Sequence, residues 1–105
     1  MYEVHLFEAI GTASAASEGA YRPGDRHAML VFVRQYSNTE HDWASAGVGV
    51  SDGGWTEVTF QRAGTLIPEF MSGKDADFIA AFEYAMHGGC GLVVYRNPVT
   101  LEQDE

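Results

Sequence analysis

The chain has little that would announce a chemistry. A single cysteine, Cys90, in 105 residues excludes an intramolecular disulfide framework and any cysteine-rich zinc site. Basic residues are also scarce: 6 Lys and Arg stand against 15 Asp and Glu, for a formal charge of −9. A phosphate backbone is held by clustered cations, so direct nucleic-acid binding is not expected. No apolar run approaches the roughly 20 residues of a transmembrane helix, and no membrane association is expected. The opening MYEVHLFEA has no basic stretch ahead of an apolar one, unlike a secretory signal, and a cytoplasmic location is the default expectation. Nothing matches HExxH or GxSxG. The glycine clusters at 47–49 and 88–91 do not follow the strand–turn–helix order of a phosphate loop.

What the chain does have is material for a core. Hydrophobic residues make up 46% of it, with five Tyr, six Phe and two Trp, enough large side chains for a folded domain. Its length suits one domain, expected over residues 1–98. Residues 99–105, with Glu102, Asp104 and Glu105, read as an acidic C-terminal tail.

Tyr2 to Ile10 alternates as a strand, with Tyr2, Val4 and Leu6 on one row and Glu3, His5 and Phe7 on the other. Gly11 to Gly24 is an Ala-, Ser- and Gly-rich surface loop in which Pro23-Gly24 suits a type II turn. Ala28 to Tyr36 is a second strand, expected antiparallel to the first. Beyond the capping residues Ser37, Asn38 and Thr39, Trp43, Ala46, Gly47 and Val50 recur at helical spacing. A strand also fits residues 40–52, since Ala46, Val48 and Val50 alternate and each glycine costs a helix about 1 kcal/mol relative to Ala. The start SNTEHDW and the stop DGG favour the helix.

Trp55 to Arg62 is a third strand, and Ala63 to Gly73 is irregular around Pro68. Ser72 or Asp75 can cap a helix over Ala76 to His87, whose stripe is Phe78, Ile79, Phe82, Ala85 and Met86. Cys90 to Arg96 is apolar on both rows, which suits a central strand. The order β-β-α-β-α-β predicts an α+β domain: a single-layer mixed four-stranded sheet with two helices packed on one face and a right-handed final crossover. In outline this resembles a ferredoxin-like arrangement, with a hairpin where that fold has its first strand–helix unit. The resemblance is architectural and implies no function.

If the helices cover the row of Val4, Val31 and Val58, the other face carries Phe7, Leu30, Phe32, Trp55, Val93 and Tyr95 beside polar His5, Glu57, Thr59 and Gln61. A contiguous apolar face of that kind marks an interaction surface, and those six residues are its candidates. No catalytic, cofactor-binding or metal-binding residue is assigned. His87 and Cys90 place an imidazole near a thiol. Yet a cysteine opening an apolar strand suits a small buried hydrophobe, and a histidine in a last helical turn suits the helix dipole. His5, His27, His41 and His87 fall on different elements without metal-ligand spacing. The expectation is a small, acidic, non-catalytic interaction or regulatory protein, working as a homodimer or on a protein partner. The alternative is a ligand-binding or enzymatic domain with its pocket between the sheet and loops 11–24 and 63–73.

Overall fold

A computed structural model describes residues 1–17, 21–67, 69 and 73–99. The elements are β1 (Tyr2–Thr12), β2 (Arg26–Tyr36), α1 (Trp43–Asp52), β3 (Thr56–Thr65), α2 (Ala76–Gly88) and β4 (Cys90–Val94), in the order expected. The 40–52 ambiguity resolves as a helix. Asp42 supplies its cap, accepting a hydrogen bond from the Ser45 amide at 3.0 Å. Asp75 caps α2 in the same way, through the Phe78 amide at 2.8 Å. Gly89, at φ 99°, closes α2 in the left-handed conformation that glycine adopts without strain. Arg34 donates to the Met86 carbonyl at 2.8 Å, placing a cation at that same helix end.

The four strands form one sheet in the order β3-β1-β2-β4. All three pairings are antiparallel, so the sheet is not mixed. β2 and β3 nevertheless run in the same direction, because both are antiparallel to the β1 between them. The like-directed crossover is therefore β2-α1-β3, and not the final β3-α2-β4 passage. β4 lies at an edge and not in the centre. It is apolar on both rows because each row faces a helix.

The strand register overturns the face assignment expected from the sequence. The β1–β2 register pairs Phe7 with Val31, His5 with Val33 and Leu6 with Phe32. Val4 and Val31 thus point to opposite faces, and so do Phe7 and Phe32. Phe7, Met29, Val31 and Val33 form one core with Ala46 and Val50 of α1. Val4 and Phe32 form a second core with Ala81 and Ala85 of α2. The helices cover opposite faces of the sheet, and neither face is left open as the one-sided packing would require. Burying a side chain such as Phe32, at 0% exposure, stabilises by about 1.5–3 kcal/mol.

The long loop after β1 is anchored over the part that is described. Ala13 donates to the Asp25 carbonyl and Gly24 to the Ala13 carbonyl, both at 2.8 Å, which extends the hairpin. The Ser14 hydroxyl donates to the Gly54 carbonyl at 2.5 Å, and a Cβ on Gly54 (φ 90°) would stand 2.4 Å from the Ala16 backbone. Only glycine allows the DGG turn and the Ala/Ser segment to meet this closely. The sequence-predicted tail, apart from Val99, lies outside the described residues, as do parts of loops 11–24 and 63–73.

Candidate functional site

The two edges of the sheet differ in kind. On β3 the pairing with β1 shifts register twice, and Glu57 sits at φ 49°. Glu57, Gln61 and Arg62 are exposed there, and Arg62 pairs with Glu8. Bulges and charges of this sort block further strand pairing. β4 has neither a register shift nor a charged or proline residue.

The hydrogen bonds that flank β4 tell which of its peptide groups are used. Arg34 donates to the Gly89 carbonyl at 2.9 Å, and Tyr95 donates to the Ala28 carbonyl at 3.0 Å. In an antiparallel ladder the bonded pairs alternate, so the odd-numbered residues of β4 bond to β2. The N–H and C=O groups of Cys90, Leu92 and Val94 point outward. Among the described residues no backbone group meets them.

These groups form the floor of a cleft of about 810 Å3. One wall includes Gly49 and Asp52 of α1; the other includes Asp77, Ala80 and Tyr84 of α2. Small residues bring both walls close to the strand. A Cβ on Gly49 would stand 2.4 Å from the Cys90 Sγ, and one on Gly91 would stand 2.5 Å from the Ala81 carbonyl oxygen. Leu92 packs into the α1 core and Val93 into the α2 core, so the strand is fixed on both sides. Tyr84, 69% exposed, stands free on the α2 rim.

The cleft's electrostatics are acidic on both walls. Asp77 lies in the first turn of α2, where the helix dipole favours a carboxylate. Asp52 lies in the last turn of α1, where the dipole disfavours one, and no basic residue accompanies it. The Cys90 thiol is pushed above its ordinary pKa, first by burial and second by the negative charge of Asp52. Arg96 lines the far end. Three of the other cations, Arg26, Arg34 and Arg62, are tied to Thr12 and Glu57, to Met86, and to Glu8.

The six residues expected to share an interaction face do not share one. Phe7 and Phe32 are fully buried on opposite sides of the sheet, and Trp55 is 3% exposed. Leu30 and Val93 pack against the α2 core, while Tyr95 is half exposed. Of the six, Val93 alone borders the cleft. Gly49, Asp52, Asp77 and Tyr84 had no common signal in the sequence, because they come from two helices that meet only across the strand edge.

His87 and Cys90 are not partners. The His87 Nδ1–H donates to the Glu83 carbonyl within α2 at 2.8 Å, while Cys90 packs with the α1 core on the opposite face. A raised thiol pKa also runs against thiolate nucleophilicity.

The structure does assemble one histidine arrangement that spacing could not reveal. His5, 0% exposed, places Nε2 2.6 Å from the Glu3 carboxylate and Nδ1 2.8 Å from the His41 Nδ1. The carboxylate accepts from the His5 Nε2–H, and one N–H is shared between the two Nδ1 atoms of His5 and His41. Phe7 and Trp43 pack edge-on around His41. Among the described residues no hydroxyl or thiol hydrogen-bonds to His41. The chain Glu3–His5–His41 therefore satisfies a buried imidazole and ties the approach to α1 onto β1. His27, 2% exposed, donates from Nδ1 to the Tyr95 carbonyl at 2.8 Å and packs between Tyr21 and Trp55. Among the described residues no group of three or more His, Cys, Asp or Glu is placed to hold a metal ion, and no helix is long and apolar enough to cross a membrane.

No protein-family model matches the chain, and no curated protein or solved structure matches it.

Proposed function

We propose that this chain is an interaction domain that takes up an extended segment of a partner protein as a fifth strand on β4, between α1 and α2. One observation carries it: the outward peptide groups of Cys90, Leu92 and Val94 lie at the floor of a cleft walled by both helices. Strand addition to an exposed sheet edge draws affinity from main-chain hydrogen bonds and selectivity from pockets for alternate side chains. Three residues offer an N–H and a C=O each. At about 0.5–1.5 kcal/mol per bond, these offset the roughly 4–15 kcal/mol cost of association only at its lower end. The side-chain walls must contribute, and they are what distinguishes this edge from that of β3.

Charge favours a different chain over a second copy. Each copy carries −9, and pairing two β4 edges would bring both sets of Asp52 and Asp77 into one shared cleft. Amide hydrogen exchange on the isotope-labelled protein tests the proposal. On adding a strand-forming peptide, the amides of Cys90, Leu92 and Val94 should gain protection, while those of Gly91 and Val93, already bonded to β2, should change little. Binding without protection at those three amides would refute strand addition. Protection in the absence of peptide, with a doubled solution mass, would give the edge to self-association.

A further inference from the structure

We infer that the segment taken up is cationic, with two adjacent basic residues. This rests on strand addition at β4 and specifies the chemistry of what is added.

The two wall carboxylates sit at different heights along the strand and on opposite sides of it. Asp52 lies between the two places where α1 meets β4 and next to the second: a Cβ on Gly49 would touch Cys90, and one on Gly53 would stand 3.2 Å from Leu92, so Asp52 is about level with Leu92. Asp77 precedes Ala81 by four residues, about 6 Å along the helix, and Ala81 meets β4 at Gly91. α2 runs back along β4 after the turn at Gly89. Six ångströms correspond to about two strand residues, which puts Asp77 level with Val93. Along the strand the carboxylates are therefore offset by about one residue, from Leu92 to Val93.

Strand geometry makes that separation specific. Side chains of an added strand alternate between the α1 wall and the α2 wall. An odd separation sends two residues to opposite walls, and one position matches the offset of Asp52 from Asp77. Two adjacent basic residues present one cation to each carboxylate in either strand direction. Two positions apart would send both cations to the same wall. The exposed Tyr84 ring on the α2 rim adds a face for a cation. Asp52 fits this role better than a stabilising one, since it opposes its own helix dipole. The net charge of −9 would draw such a segment in from a distance, and salt would weaken that attraction.

Three fluorescent nine-residue peptides of alternating Thr and Val test this: one with Lys at central positions i and i+1, one with Lys at i and i+2, and one with Gln at i and i+1. Anisotropy titrations would be run at low and at physiological salt, with exchange at Cys90, Leu92 and Val94 as the readout of place. Two surface ion pairs predict that the i,i+1 Lys peptide binds about 2- to 30-fold more tightly than the Gln peptide. The i,i+2 peptide should fall between them. The advantage should shrink with salt and vanish in the variant carrying Asp52→Asn and Asp77→Asn, whose fold is checked by circular dichroism. Equal affinity for Lys and Gln peptides, with β4 protected by both, would overturn the cationic specificity and leave strand addition standing. Equal affinity for both Lys spacings would overturn the assignment of one cation to each wall. Failure of every peptide to protect β4 would overturn strand addition itself.

Discussion

Replacing Gly49 by Ala probes the packing that builds the cleft. Gly49 lies inside α1, where Ala is favoured over Gly by about 1 kcal/mol. On propensity alone the substitution stabilises. In the structure its new Cβ would stand 2.4 Å from the Cys90 Sγ, far inside any real contact, while the next neighbour, the Cys90 Cβ, is at an ordinary 3.5 Å. Overpacking of this kind costs about 1–3 kcal/mol. The net expectation is a loss of up to about 2 kcal/mol, or a fall in Tm of several degrees. Removing the sulfur should restore the propensity gain, so Gly49→Ala combined with Cys90→Ala should be more stable than Cys90→Ala alone. Gly47→Ala on the same helix is the internal control. Its Cβ would stand 4.0 Å from Phe60, and it should stabilise by about 1 kcal/mol. Urea melts of the four members of the cycle give a coupling energy, expected at about 1–3 kcal/mol. An additive cycle, or a Gly49→Ala protein as stable as Gly47→Ala, would mean that α1 does not rest on β4 at this point.

Native Cys90 should react slowly with iodoacetamide at neutral pH and at the rate of a free thiol in urea; equal rates in both would contradict its burial. Its raised pKa also has a sign for stability. The contribution is complete below the unfolded thiol's pKa and is lost as pH rises through the higher folded value, so alkaline melts should show a decline that Cys90→Ala lacks. Phe32→Ala should cost about 3–5 kcal/mol, whereas Tyr95→Ala at a half-exposed position should stay within about 0.5 kcal/mol; similar losses at both would place them on a common surface after all.

Local chemistry made the elements readable and left their assembly open. Asp75 and the glycines after α2 mark a helix start and stop that depend on residues a few positions apart. The alternation of Val4 with His5, and of Val31 with Phe32, identified strands but not which rows coincide. That depends on the pairing of Phe7 with Val31, which is a property of two strands together. The apolar sequence of β4 signalled cover on both faces, and a helix on each side provides it as well as two flanking strands would. His5 and His41 are 36 positions apart and had no spacing to read. Asp52 and Asp77 look like ordinary helix-end residues until the strand between them is in place.

The inequality of the two sheet edges limits how far the sheet itself can be extended. A sheet that can be extended on both sides can grow into an open filament, each added unit offering a new edge to the next. Here the irregular backbone and charged side chains of β3 end growth on one side. Occupation of β4 ends it on the other. One partner strand per domain is then the upper limit, and pairing between two copies would close into a dimer with no template left for a third.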